Sequence, residues 1–348
     1  MSEKISIIVP VYNTEKYLHC FFSKLEKQTY QDFRAYIVYD QSTDSSLEII
    51  KEYEKKNPSH FEIIYSPRKD GLGAARDCAL DSGKIVGEYV LFLDPDDYPE
   101  LNFLEKLVNK ADKTHSDITI CGFDRFEDET NHVLTVEMIH NPNYVVHDIS
   151  KFDLMAYMNP VVWDKLYRRE LINGLRFSNI KRTEDVFWLM RMVPRIKSIS
   201  FVNEVLYHYR VRKDSLLNSI SRTAYDDVIN NFISVRKELD DCYGEDSIYK
   251  NILDLIGFFR CGIGITYRAA VNDKKNISYY TKKSKKVLNE YYSGWNDNPY
   301  LTFHACKNRG LKGLAIYCCK ILYKMNLFSI YVYIFSLITS KLKKDIKW

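Results

Sequence analysis

Residues 90–97 read Val90-Leu91-Phe92-Leu93-Asp94-Pro95-Asp96-Asp97. Four apolar residues in a row predict a strand buried on both faces, as in parallel sheets. The strand runs straight into three crowded carboxylates. Acids this close repel one another and are tolerated where positive charge offsets them. A hard divalent cation does that, taking carboxylate oxygens on one side and phosphate oxygens on the other. The stretch therefore predicts an α/β fold that handles a phosphorylated ligand through a metal at a strand end.

Working outward, strands alternate with helices. Residues 5–9 predict a first strand, stopped by Pro10. Thr14 is placed to cap a helix with Tyr17, Leu18, Phe21, Phe22 and Leu25 on its apolar face. Further strands are expected at 36–39, 61–65, 89–93 and 117–121. Helices are expected at 47–55 and after Gly71-Leu72-Gly73, where Ala74, Ala75, Cys78 and Ala79 follow. This alternation implies a mostly parallel sheet with helices on both faces. Ligands of such sheets bind beyond the carboxyl ends of the strands, where every polar cluster here falls. The pattern weakens over about 125–160, read as a loop, and returns at Val161-Val162-Trp163. Beyond 220 it is helical, at about 225–242, 246–271, 277–293, 310–325 and 327–343. The expected division is a catalytic domain over 1–220, a helical extension over 221–300 and a basic amphipathic tail over 301–348.

The chain has 348 residues, 46% hydrophobic and 28% charged, which fits a folded protein larger than one ordinary core. Residues 301–348 carry nine Lys/Arg against Asp345, so that segment is +8; with +4 overall, residues 1–300 are −4. A net acidic site domain argues against nucleic acid as a partner. The eight cysteines show no CxxC spacing, and a strand follows Met1-Ser2-Glu3-Lys4 without a signal-peptide apolar region. Both point to reduced thiols in the cytosol.

Several clusters accompany the octapeptide: Val9-Pro10-Val11-Tyr12-Asn13-Thr14-Glu15, Gln28-Thr29-Tyr30-Gln31-Asp32-Phe33, Asp40-Gln41-Ser42-Thr43-Asp44-Ser45-Ser46 and Gly71 to Asp77. Farther on come Trp163-Asp164-Lys165-Leu166-Tyr167, Arg176-Phe177, Glu184-Asp185 and Tyr207-His208-Tyr209-Arg210. Each alone reads as a loop, a helix start or core. In this order, over about residues 4–218, they resemble family 2 glycosyltransferases of the GT-A fold. The chain departs from that pattern at Tyr39, Gln41, Asp77 and Lys69-Asp70, which leaves the nucleotide less defined than the fold.

The resemblance implies an inverting, metal-dependent transfer of a sugar from a nucleotide donor, UDP by expectation, during capsule, exopolysaccharide or cell-wall glycan synthesis. Pro10, Tyr12 and Asp40 would hold the base, and Arg76 the nucleotide or its phosphates. Asp96, flanked by Asp94 and Asp97, would hold Mg²⁺ or Mn²⁺, with His208 a lesser candidate ligand. Asp185 would be the general base, and Glu184 and Trp163 would contact donor or acceptor sugar. Arg210, Arg212 and Lys213 could close over the diphosphate. Two other classes remain open: a non-catalytic nucleotide-sugar-binding scaffold, and a sugar nucleotidyltransferase. The latter would be expected to carry a Gly-rich basic loop after the first strand, where Val11-Tyr12-Asn13-Thr14 stands.

In the tail, residues 327–338 form an apolar run too short to cross a bilayer, which takes about 20 residues. Lysines flank it, so a helix pair lying in the interface of the inner membrane surface is expected, near a glycan or lipid-linked acceptor. A helical cap on the catalytic domain, or a homodimer contact, is the competing reading.

Overall fold

The computed structural model describes residues 3–67, 70–147, 153–178, 180, 182–212, 220–245 and 248–342. In chain order these form β1 (Ile5–Val11), α1 (Glu15–Glu26), β2 (Phe33–Tyr39), α2 (Ser46–Lys56), β3 (Phe61–Tyr65), α3 (Leu72–Asp81), β4 (Tyr89–Phe92), β5 (Tyr98–Pro99), α4 (Phe103–Thr114), β6 (Ile118–Glu127) and β7 (Val133–Glu137). Then come α5 (Leu154–Tyr157), β8 (Lys165–Arg168), α6 (Arg169–Ile172), α7 (Glu184–Met192), β9 (Ile199–Val211), α8 (Arg222–Tyr243), α9 (Lys250–Ile256), a π-helical stretch (Gly257–Ile265), α10 (Thr266–Asn272), α11 (Ile277–Tyr291), α12 (Phe303–Asn308), α13 (Gly310–Lys324) and α14 (Phe328–Leu342).

The chain divides into two compact units: Met1–Lys151 with Asn159–Lys213, and Phe152–Met158 with Asp214–Trp348. The helical extension and the tail, expected as separate regions, thus fall in one unit. The segment over 125–160, expected as a loop, holds the end of β6, all of β7 and α5.

In the first unit the described strands form one sheet in the order β3-β2-β1-β4-β8-β6-β9-β5, with β7 paired to β6. Strands β1 to β4 are mutually parallel. The sequence reading missed β8, which lies antiparallel between β4 and β6 and is only four residues long. On one face, Ile5, Ile7, Val9 and Val11 of β1 pack with Leu18, Phe21, Phe22 and Leu25 of α1 and Leu104 and Leu107 of α4. Each such side chain contributes roughly 1.5–3 kcal/mol on burial.

Strand β1 does not stop at Pro10; it continues to Val11 in register with Tyr39. Its partner on the other side, β4, ends opposite Ile8, whose carbonyl accepts the last bond from Leu93 N–H. Residues of the same parity as Ile8 face that side, so Pro10 presents its missing donor where no strand remains to be paired.

Strand β9 pairs with β6 along its length, but the register shifts around Gly122. This irregularity carries Tyr207 to Val211 along the second half of β6, toward the end of β4. A Cβ on Gly122 would lie 2.7 Å from the Glu204 carbonyl oxygen and would also run into Ile139. Gly122→Ala is therefore expected to destabilise the protein by about 1–3 kcal/mol, as overpacking does. Chemical denaturation of both proteins would measure it, and equal midpoints would contradict the crowding argument.

In the second unit, α9, the π-helical stretch and α10 follow one another without a break over 250–272, close to the single helix expected. The widening starts at Gly257, where a Cβ would run into the Tyr292 ring. Buried Arg236 bridges Asp240 and Asp254, and Tyr292 donates its hydroxyl to the Phe232 carbonyl at 2.7 Å. Arg309 pairs with Asp153, and Arg260 donates to the Met158 carbonyl, which ties in the short 152–158 segment.

Candidate active site

The loops after β1 and β2 are stitched together by capping residues. Asn13, at φ 51°, accepts from Thr43 N–H at 2.8 Å, and its own N–H donates to Ser42 Oγ at 3.0 Å. Thr14 N–H donates to Ser46 Oγ, and Glu15 N–H to Asp44 Oδ2. Glu15 returns a bond by accepting from Ser45 N–H at 2.7 Å. Asn tolerates the left-handed backbone better than most residues and is enriched there. Two helix starts thus satisfy each other's orphan N–H groups across the strand ends. The stitching fixes Tyr12, half exposed at 50%, and Asp40, buried, beside each other at the ends of adjacent strands.

The centre of the site is Arg76 on α3. Its side chain is 1% exposed, lies 5.2 Å from the Phe177 ring centroid and faces three carboxylates. Nη2 donates to Asp94 Oδ1 at 2.9 Å; Nη1 donates to Asp185 Oδ1 at 3.0 Å and lies 3.6 Å from Glu184 Oε1. One guanidinium therefore ties the acids closing β4 to the acids opening α7. Burial works against its charge, but the three carboxylates more than offset this and hold it charged above its ordinary range. Burial pushes Asp185 up to about 7; Arg76 opposes the shift, while the Glu184 and Asp94 charges add to it. Glu184 is raised as well, again first by burial.

Helix α3 can reach α7 because its first turn is small. A Cβ on Gly73 would lie 3.1 Å from Phe177 Cβ and 3.6 Å from Glu184 Cβ. Asp77, a departure from the family pattern, accepts from Phe177 N–H at 2.7 Å and Ser178 N–H at 2.9 Å. It anchors the chain leading to Glu184. Lys69 and Lys213 lie outside the described residues.

The carboxylates after β4 separate into two kinds. Asp97 is 3% exposed and both its oxygens are engaged: Oδ1 accepts from Arg210 N–H at 2.8 Å and Oδ2 from the Tyr207 hydroxyl at 3.1 Å. Burial, then the Asp96 and Asp94 charges, push it well up. Asp97, expected among the metal ligands, thus pins β9 to the end of β4. Asp96 pairs with Arg212 at 2.9 Å; burial and then Asp94 raise it, with Arg212 in opposition. Asp94 and Asp96 are hard oxygen donors whose repulsion a cation relieves, so the pair fits Mg²⁺ or Mn²⁺. No three His, Cys, Asp or Glu residues converge on a closed ligand set among the described residues.

Two further expectations change. His208 does not turn toward the cluster: Nδ1 lies 3.0 Å from Asp124 and Nε2 3.0 Å from Glu100. Trp163, expected at the sugar, is 2% exposed and stacked on Tyr207 at 4.5 Å and 14° and on Tyr209 at 5.5 Å and 16°. It supports the tyrosine that holds Asp97. Next to it, buried Lys165 donates to Asp164 at 2.6 Å and to the Val161 carbonyl at 2.7 Å. Sequence reasoning missed Asp128, which accepts from Arg210 at 2.7 Å while the guanidinium lies over Tyr17 and Phe126. Nothing local marks Asp128, since the pairing spans 82 residues.

Comparison with known proteins gives a consistent result. A family model described as Glycosyl transferase family 2 matches residues 6–192. Glycosyltransferase GlyA of Streptococcus pneumoniae is 32% identical over 231 residues, covering 62% of this chain and 32% of that protein. The poly(ribitol-phosphate) beta-glucosyltransferase of Bacillus spizizenii is 32% identical over 216 residues, covering 61% of this chain and 33% of that protein. The chain thus spans about a third of the length of each. The crystal structure of S. aureus TarS 1–349 in complex with UDP-GlcNAc superposes with a TM-score of 0.65 at 21% identity, over 93% of this chain and 92% of that one. At that identity the likeness is one of fold.

The Arg76 bridge makes its own prediction. Arg76→Ala leaves three partly buried acids without their cation and should lower stability by about 3 kcal/mol. Arg76→Lys should recover only part of this, since an ammonium cannot reach both sides with a planar fork. Urea unfolding of the three proteins would decide.

Proposed function

The chain belongs to glycosyl transferase family 2 and has the GT-A fold, and we propose that it moves a sugar, with inversion, from a UDP-sugar to a hydroxyl of a surface glycan or its lipid-linked precursor. The observation that carries this is the Arg76 bridge, which sets a base candidate on α7 against the donor-side acids after β4. The UDP donor draws on the fold likeness to TarS in complex with UDP-GlcNAc, and the polymeric acceptor on the poly(ribitol-phosphate) beta-glucosyltransferase.

In this reading Tyr12 lies against the uracil face, with Pro10 behind it, and Asp40 accepts the ring N–H. Asp94 reaches the ribose or donor sugar, oriented by Arg76. Asp96 with Asp94 would hold Mg²⁺ or Mn²⁺, which would supply Lewis-acid stabilisation to the diphosphate leaving group. Asp185 takes the proton of the acceptor hydroxyl while that oxygen bonds to the anomeric carbon. The bond from that carbon to the diphosphate breaks on the opposite side, so the configuration inverts. Glu184 accepts from sugar hydroxyls. A carboxylate near 7 is a stronger base than an exposed one and remains partly ionised at neutral pH. The basic tail, residues 301–348, brings the enzyme to the inner face of the membrane.

A panel of sugar nucleotides with Mn²⁺, scored for hydrolysis and then transfer, tests the reading. Turnover is expected with a UDP-sugar; none with any donor would favour a non-catalytic scaffold. Asp185→Asn should lower kcat about 10²–10⁴-fold with donor KM nearly unchanged. Asp96→Ala should instead weaken metal-dependent donor binding.

The raised Asp185 value sets two opposite pH trends. kcat/KM should rise from pH 5 to 8 as the carboxyl ionises through about 7. Because the folded group holds its proton above the ordinary 3.8, its contribution to stability should fall as pH rises from 3.8 to about 7 and level off above that. Asp185→Asn should flatten the stability slope. An unchanged slope in that variant would remove Asp185 from the assignment.

A further inference from the structure

Helix α14 is apolar on both sides. One side is packed within its unit: Phe328 is 2% exposed, and Val332 and Ser336 are fully buried. The other side presents Ile330, Tyr333, Ile334 and Leu337, each between 41% and 54% exposed. Their spacing of three, one and three residues makes one continuous stripe. Scattered exposed apolar residues are ordinary, but a contiguous stripe marks an interaction surface.

The rim of the stripe is basic. Lys274 and Lys275, both exposed, share one hollow with Ser278, Ser329, Ile330 and Tyr333. These lysines come from the turn before α11, far in sequence from the tail. No Asp or Glu occurs between Asp297 and Asp345, or between Asp273 and Glu290.

From this juxtaposition we infer that the exposed side of α14, with Lys274 and Lys275, docks on an anionic phospholipid bilayer. The inference deepens the proposed membrane placement and rests on it for the identity of the membrane. Apolar stripe and ammonium groups match the two layers such a surface offers, acyl chains below and phosphates above. At 15 residues α14 is about 22 Å long, and no described helix is long and apolar enough to cross a membrane, so it lies in the interface. Tyr333, next to the lysines, suits the headgroup level, where tyrosine is enriched. A second copy of the chain is the less favoured occupant, because a two-fold contact through this patch would set the lysine rim against its own duplicate.

The test uses the full chain and sedimentation with vesicles of phosphatidylcholine alone or mixed with phosphatidylglycerol. Binding is expected to the mixed vesicles only, and to fall as salt rises. Ile330→Asp/Ile334→Asp should abolish it, and Lys274→Glu/Lys275→Glu should weaken it about tenfold or more. Both variants should keep the parent's thermal midpoint and its rate of UDP-sugar hydrolysis. Vesicle binding unchanged by either variant overturns the inference. So does a parent dimer that the Ile330→Asp/Ile334→Asp variant dissociates, in sedimentation velocity, without vesicle binding by the parent. Failure of donor turnover with vesicle binding intact would count against the proposed activity and leave this surface standing.

Discussion

One buried arginine shared by three carboxylates organises the site. Arg76 is enclosed by Phe177 and Phe92, where an unpaired charge would be expensive, and its fork reaches Asp94 in one direction and Asp185 and Glu184 in the other. The acids need it in turn, since burial raises Asp185 and Glu184 and the guanidinium is the largest influence opposing that rise. The same contact that stabilises the crossing of α3 and α7 therefore sets the basicity of the proposed base. Small residues are required around it: Gly73 leaves the room in which the two elements meet.

A second constraint comes from the far end of the chain's first unit. Strand β9 brings Tyr207, Arg210 and Arg212 to the end of β4, and Asp97 receives two of them. Behind Tyr207 stands the Trp163 stack, and behind Arg210 stand Asp128, Tyr17 and Phe126. The acids of the cluster thus differ in their contacts. Asp97 is a structural anchor, while Asp94 and Asp96, each held by one arginine, are the donors that suit a cation. Burial first, and then repulsion among the three acids, raises Asp96 and Asp97, and the repulsion is the part a divalent ion would relieve.

Much of this was legible in the residues. The apolar run at 90–93 is a buried strand because only a strand covered on both faces reads that way. The alternation of strands and helices to residue 121 follows from periodicity. The clustering of Tyr12, Asp40 and Asp94 follows from strand ends sharing one edge of a parallel sheet. What periodicity did not read was β5, β7 and β9, β8, which is too short to carry a pattern, and β1 beyond Pro10, which is allowed because β4 has ended on that side.

The chain by itself determined the parallel first half of the sheet, the family and which residue types gather at the strand ends, since these depend on local pattern and motif order. The expected mostly parallel sheet is mixed, with β8 antiparallel between β4 and β6 and β5 antiparallel to β9. Only the tertiary structure decided which groups face each acid. The residues that anchor Asp97, or join Asp185 to Asp94, lie between 18 and 113 positions away. A carboxylate's role is set by its burial and by the cation or hydroxyl facing it, and neither is carried in the residues beside it.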